Sequence, residues 1–191
     1  MGRLVVSQFI TIDGVAEDPG GAEQLDRGGW AFKFERGADG DRFKVDELMA
    51  SDALLLGRRT YEAFAEAWPS RTGEFADKFN TMPKYVVSTT LEDPSWGNTT
   101  VVRGDIGAEV RKLKADVQGD ILVNGSIQLV NTLIDEGLVD ELRLMVYPTL
   151  LGAGARLFSD RAQAAALRLS ECKPAGETVI LIYEPKTDGD Q

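Results

Sequence analysis

Short apolar runs rich in β-branched residues alternate along this chain with stretches of helical period. The runs are residues 4–12 (LVVSQFITI), 53–56 (ALLL), 84–88 (KYVVS), 99–103 (TTVVR), 120–123 (DILV) and 141–147 (ELRLMVY). Between them, residues 41–51 place Phe43, Val45, Leu48 and Met49 on a short amphipathic helix, and residues 60–65 (TYEAFA) look helical. Val110, Leu113 and Val117 share one helical face, as do Ile127, Val130, Leu133 and Ile134, with Gly137 as the closing C-cap. Strands that alternate with helices predict a mostly parallel sheet covered on both faces, a three-layer α/β/α fold. The end of the chain changes character. Residues 167–172 and 178–184 predict two strands around Pro174-Ala175-Gly176, a C-terminal antiparallel hairpin. No repeat, linker or composition break divides residues 1–185, which read as one domain, with 186–191 as a loose tail.

Composition removes several chemistries. The 191 residues include no histidine and one cysteine. That excludes Ser-His-Asp and Cys-His nucleophile pairs, imidazole bases, thiolate metal centres and an intramolecular disulfide, and no metal site is expected. Cys172 reads as a structural thiol. A formal charge of −10 argues against binding nucleic acid or an anionic membrane. The N-terminus reads as a strand and not as a signal peptide, and no apolar run reaches the ~18 residues that span a bilayer. A soluble, cytoplasmic protein is expected, with a small molecule as its partner. Its chemistry must come from carboxylates, hydroxyls, Lys and Arg, backbone groups or a bound cofactor.

Residues 17–40 carry Gly20, Gly21, Gly28, Gly29, Gly37 and Gly40 but few aliphatics, and predict a long irregular loop interrupted by Trp30, Phe32 and Phe34. Such loops are commonly lids or binding loops. The alternative is a connector whose aromatics cap the core.

Two strand-to-helix junctions could bind anions. In LLLGRRTYEAF (54–64) a strand runs into Gly57, Thr60 is a candidate N-cap, and Arg58 and Arg59 flank the helix start. A helix N-terminus with two guanidiniums suits phosphate, although both arginines could equally be solvated surface groups. In ILVNGSIQLV (121–130) Gly125 permits close approach of a ligand and Ser126 is a candidate cap; a plain tight turn is as good a reading. Ser88-Thr89-Thr90 follows a third strand. All three junctions fall beyond the carboxyl ends of strands, where open α/β sheets bind ligands. Gly152-Ala153-Gly154 lacks a third glycine and reads as a structural turn.

These segments resemble the dihydrofolate reductase superfamily. LLLGRRTYEAF resembles its strand-Gly-Arg-x-Thr-aromatic-Glu junction, YVVSTTL its next strand, ILVNGSIQLVNTLI its glycine-containing turn and helix, and DELRLMVYPTLLGAG the strand after it. The order is kept over nearly the whole chain. SQFITIDG and GLVDELRLMVYPTLLGAGARLF resemble most the reductase domain of bacterial riboflavin biosynthesis and its stand-alone relatives. The resemblance implies NADPH as cofactor. Gly57, Arg58, Arg59 and Thr60 would hold its adenosine side and phosphates, Ser88 and Thr89 its 2′-phosphate region, and Gly125, Ser126, Ile127, Gln128 and Leu129 its pyrophosphate. It also implies a homodimer, with the later strands and PTLLGAG as interface.

On the substrate side the pattern departs. The superfamily's carboxylate on the first helix falls near Asp41, with Asp46 and Glu47 a turn later; Asp41 is better read as a helix N-cap. Asp13 and Gly14 match the riboflavin branch at the end of the first strand, near the nicotinamide and substrate; Asp13 could equally be a turn former. Trp30 and Phe32 could stack on a planar heterocycle. With no His, the chain cannot contain the zinc deaminase domain that usually accompanies this reductase. The implied reaction is hydride transfer to a ribosylated aminopyrimidine phosphate. The alternatives are a pterin, another small carbonyl or imine, or a non-catalytic nucleotide-binding homodimer.

Overall fold

A computed structural model describes residues 1–22, 25–158 and 164–186. Of the expected tail, residues 187–191 lie outside the described residues. The elements run β1 (Arg3–Thr11), a single 3-10 turn (Trp30–Lys33), α1 (Gly37–Met49), β2 (Ser51–Gly57), α2 (Arg58–Ala67), α3 (Glu74–Thr81), β3 (Lys84–Val87), β4 (Thr99–Val102), α4 (Ile106–Asp116), β5 (Asp120–Asn124), α5 (Ile127–Asp135), β6 (Glu141–Tyr147), β7 (Leu167–Ala175) and β8 (Thr178–Pro185).

The eight strands form one sheet in the order β4-β3-β2-β5-β1-β6-β8-β7. The first six are mutually parallel, with β1 between β5 and β6. β8 lies antiparallel to β6, and β7 antiparallel to β8. This is the α/β fold expected from the alternation, closed by the expected hairpin.

The strand alternation splits the core in two. Leu4, Val6, Leu55, Ile121 and Val123 face one side, where Val110 and Leu113 of α4 and Val130 and Leu133 of α5 cover them. Val5, Leu54, Leu56, Val86 and Leu122 face the other, under Leu48 of α1, Tyr61 of α2 and Phe79 of α3. A third cluster of Trp30, Met145, Tyr147, Ile180 and Ile182 fills the space beside β6 and β8. Because central strands are apolar on both faces, each needs a helix layer on either side.

Two helix starts and one whole helix differ from the sequence expectations. α1 begins at Gly37, so Asp41 lies inside the helix and is not its cap. α2 begins at Arg58 with Gly57 at the cap position, so Thr60 is a buried helical residue. α3 had no expected counterpart. It buries Ala76 and Phe79, and Lys84, fully buried at the start of β3, ties it in place. The Lys84 ammonium donates to the carbonyls of Asn80 (2.7 Å), Met82 (2.9 Å) and Gly97 (3.1 Å). Burial draws its pKa down to about 8. No helix among the described residues is long and apolar enough to cross a membrane.

Candidate functional site

β2 and β5 are neighbours, yet their chains leave in opposite directions. β2 continues through α2 and α3 to β3 on one side, and β5 through α5 to β6 on the other, beyond β1. That divergence opens a crevice at the carboxyl ends of the two strands, the usual ligand position in an open α/β sheet. Both arginine-flanked and Asn-Gly-Ser junctions border it.

The junctions are joined by one hydroxyl. Ser126 Oγ accepts the backbone N–H of Gly57 at 2.7 Å and donates to Thr60 Oγ1 at 2.9 Å. The expected capping is therefore exchanged: Ser126 does not cap its own helix α5 but secures the start of α2 across the crevice. Gly125 and Ser126 both have positive φ, 68° and 65°. For serine this backbone is strained, and the two hydrogen bonds hold it there. The contact also explains the glycines. A Cβ at Gly57 would stand 2.9 Å from Ser126 Oγ, and one at Gly125 would stand 2.9 Å from Thr60.

Neither α2 nor α5 has a side-chain N-cap. Their first-turn N–H groups lack intrahelical partners and, with the helix dipoles, form an anion-binding surface. Arg58 is exposed and pairs with Glu62 at 3.1 Å. Arg59 is exposed and makes no ion pair or side-chain hydrogen bond among the described residues. Ser88 is buried, and its hydroxyl accepts the N–H groups of Thr90 (3.2 Å) and Leu91 (3.0 Å); Thr89 is exposed. In α5, Gln128 is exposed, Ile127 is half-buried and the Leu129 side chain is core. Only the backbone of Leu129 could meet a ligand here.

The substrate-side expectations fare differently. Asp13 is a clamp: Thr11 Oγ1 (2.5 Å), Gly152 N–H (2.7 Å) and Leu151 N–H (3.3 Å) all donate to its carboxylate. These bonds, the Thr11 hydroxyl foremost, pull its pKa down to about 2. A carboxylate so held acts as the turn former that the sequence also allowed. Gly14 (φ 85°) completes the turn beside it. Because the folded pKa lies below the ordinary 3.8, the stability that Asp13 contributes is present above about pH 4 and is lost between there and pH 2. Thermal melts from pH 2 to 5 should therefore fall less steeply for Asp13→Asn than for the wild type; parallel curves would refute the clamp.

Trp30 is 1% exposed, set edge-on to Tyr147 at 5.3 Å, and its indole N–H donates to Glu17 O at 2.9 Å. Its ring is core and is not available to stack on a ligand, which corrects the earlier expectation. Phe32 is 81% exposed. Asp41 is exposed and accepts from Arg36 Nε at 2.6 Å.

On the inner face of α1, Arg36 and Lys44 were not anticipated. Arg36, just before the helix, and Lys44 within it both approach the half-buried Phe9 ring of β1, at 5.8 and 5.3 Å from its centroid. Lys44 donates to Ser7 Oγ at 2.9 Å and pairs with Glu47, which is buried and also meets Arg143 at 3.4 Å. Tyr147 lies beneath; burial raises its pKa, while Arg36 acts in the opposite direction. The signal in the sequence was Arg36, Lys44 and Glu47 at spacings of 8 and 3, charges at positions that a surface helix normally makes apolar. Gln8 Nε2 donates to Gly125 O at 3.1 Å, so this cluster sits one strand from the crevice. A cleft of about 670 Å³ runs between α1 and β7. Its lining charges are largely paired with one another, and it lies to the side of the strand ends.

The family model of the RibD C-terminal domain matches residues 3–181. The chain belongs to the RibD C-terminal domain family. It is 29% identical over 185 residues to the uncharacterized protein YyaP of Bacillus subtilis, covering 94% of this chain and 93% of YyaP. A protein of Shewanella sp. PV-4 provisionally assigned to riboflavin biosynthesis superposes with a TM-score of 0.75 at 21% identity, over 97% of this chain and 99% of that one. RibD of Acinetobacter baumannii gives 0.64 at 17% identity, over 98% of this chain but 59% of that one. These structures share the fold of the RibD C-terminal domain, with its mostly parallel sheet and antiparallel closing pair. Among the described residues no cluster of His, Cys, Asp and Glu could hold a metal ion.

Proposed function

We propose that the chain is an NADPH-dependent reductase of the riboflavin-pathway type, acting on a ribosylated aminopyrimidine phosphate or a closely related small molecule. One observation carries the reading: two helix N-termini without side-chain caps, locked together by Ser126, meet at the switch point beside Arg59, a cation with no ion pair among the described residues. This donor set fits a dinucleotide phosphate. Arg58, Arg59 and Thr60 at α2, with Ser88 and Thr89, would meet the adenosine phosphates, and the backbone of residues 125–129 the pyrophosphate. The bound nicotinamide would supply the hydride. The chain's own residues bind, orient and exclude water. None of them needs to be a histidine, and ionised Asp13 shapes the turn at the end of β1.

Family membership and the riboflavin-pathway neighbour support the reaction class. A cytoplasmic homodimer built on the later strands belongs to the same proposal; sedimentation showing only monomer at micromolar concentration would remove the dimer. The test of the main reading is fluorescence titration with NADPH, followed by NADPH oxidation with pyrimidine, pterin and carbonyl substrates. Binding with turnover on a pyrimidine ribotide is expected. Binding without turnover on any of them would leave a nucleotide-binding module, and absence of binding would overturn the enzyme reading.

A further inference from the structure

β1 lies inside the sheet, and its residues alternate between two apolar layers. Leu4, Val6 and Ile10 face the layer under α4 and α5. Gln8 shares their face by that alternation and is 4% exposed. A buried amide in such a layer costs stability unless it is hydrogen-bonded. Its Nε2 donates to the carbonyl oxygen of Gly125 at 3.1 Å. That carbonyl belongs to the peptide between Gly125 and Ser126, the two residues of positive φ at the head of α5. A trans peptide is planar, with its C=O and N–H pointing opposite ways. Drawing the Gly125 oxygen toward Gln8 therefore turns the Ser126 N–H away from β1, to the crevice side of the turn.

The opposite orientation is open to the same backbone. Rotating this peptide by half a turn changes only ψ of Gly125 and φ of Ser126. Glycine tolerates the change, and the serine would leave φ 65° for the negative values it prefers. The rotated peptide would aim the Gly125 oxygen at the crevice. Backbone N–H groups collect anions, and a carbonyl oxygen in their place repels them. Ser126 Oγ ties the side chain to Gly57 and Thr60; Gln8 holds the peptide itself. We propose that Gln8 is a positioning residue, which keeps the Gly125–Ser126 peptide with its N–H facing the crevice so that the turn can receive a pyrophosphate. This rests on the cofactor reading and adds to it the group that decides whether the turn attracts or repels an anion.

The full chain is titrated calorimetrically with NADP⁺, with adenosine 2′-monophosphate, which carries no pyrophosphate, and with inorganic pyrophosphate. Gln8→Leu has a similar volume and suits an apolar layer, so the melting temperature is expected to hold. The substitution is expected to weaken NADP⁺ and pyrophosphate about 10-fold or more, one charge-assisted hydrogen bond exchanged for a repulsive carbonyl, and to leave adenosine 2′-monophosphate unchanged. A purely structural loss would weaken all three together. Gln8→Glu gives a second test that does not depend on the first variant folding. Its carboxyl can donate to Gly125 only when protonated, and burial raises the pH at which that happens. Its NADP⁺ affinity, relative to the wild type at the same pH, is expected to recover as the pH falls from about 8 to about 5. NADP⁺ affinity unmoved by Gln8→Leu, equal loss of all three probes, or a Gln8→Glu deficit indifferent to pH would overturn the inference. Pyrophosphate binding that Gln8→Leu abolishes, in a protein that binds no NADP⁺, would overturn the cofactor reading and leave this one standing; a wild type that binds neither would overturn both.

Discussion

Replacing Arg59 with alanine is expected to weaken NADPH about 10- to 100-fold and to leave NADH nearly unchanged. The two cofactors differ by one phosphate, so the difference isolates the group that meets it. A charged hydrogen bond contributes roughly 1.5–3 kcal/mol, and each 1.4 kcal/mol is about a factor of ten. Arg59 is the better candidate of the pair because Arg58 is engaged with Glu62 at 3.1 Å, while Arg59 has no protein partner among the described residues. Its exposure predicts little change in melting temperature, which separates lost recognition from lost structure. Equal weakening of both cofactors would remove Arg59 from the 2′-phosphate. Arg58→Ala with the larger NADPH effect would exchange the roles of the two.

Trp30→Ala is expected to be the most destabilising simple truncation near the site, by about 3–5 kcal/mol. For a chain of this length that corresponds to a fall in Tm of roughly 6–20 °C. The indole is enclosed by the β6–β8 cluster, touches Tyr147 edge-on and satisfies its N–H at Glu17 O. Truncation removes the packing and strands that carbonyl together. Phe32→Ala, two residues on and almost fully exposed, should move stability by no more than about 0.5 kcal/mol. Were Trp30 instead a platform for the substrate, its loss would raise KM while the melting curve stayed in place.

These contrasts mark what can be read from residues alone. The sheet was legible because Leu54, Leu55 and Leu56, like Ile121, Leu122 and Val123, are apolar on consecutive positions, which only a strand buried on both faces requires. The crevice was legible because Gly57 and Gly125 punctuate strand ends. The exchange of caps between Ser126 and Gly57 was not. A serine before a helix is ordinarily its own cap, and only the pairing of β2 with β5 brings α2 within reach of its hydroxyl. Trp30 was misread for the same kind of reason: aromatics in a glycine-rich loop look exposed until the loop is seen folded under β6. α3 had a signal, Phe75 and Phe79 one turn apart with Ala76 between, but eight residues give periodicity little room. The charges on the inner face of α1 broke the apolar rule, and departures of that kind concentrate at functional sites.

The hydroxyl of Ser126 carries a consequence for how the protein matures. The two halves of the crevice come from segments 69 residues apart, and the amide of Gly57 finds its acceptor only once β5 has docked beside β2. A nascent or partly unfolded chain can present the α2 N-terminus with Arg59 but not the joined surface. Cofactor should then bind the completed sheet and not its precursors, so free NADPH at 100 times its Kd would stabilise the assembled state by about 2.7 kcal/mol. Amide exchange at Gly57 would report the same event: slow in the finished protein, slower still with dinucleotide, and fast in any species whose fifth strand has yet to arrive.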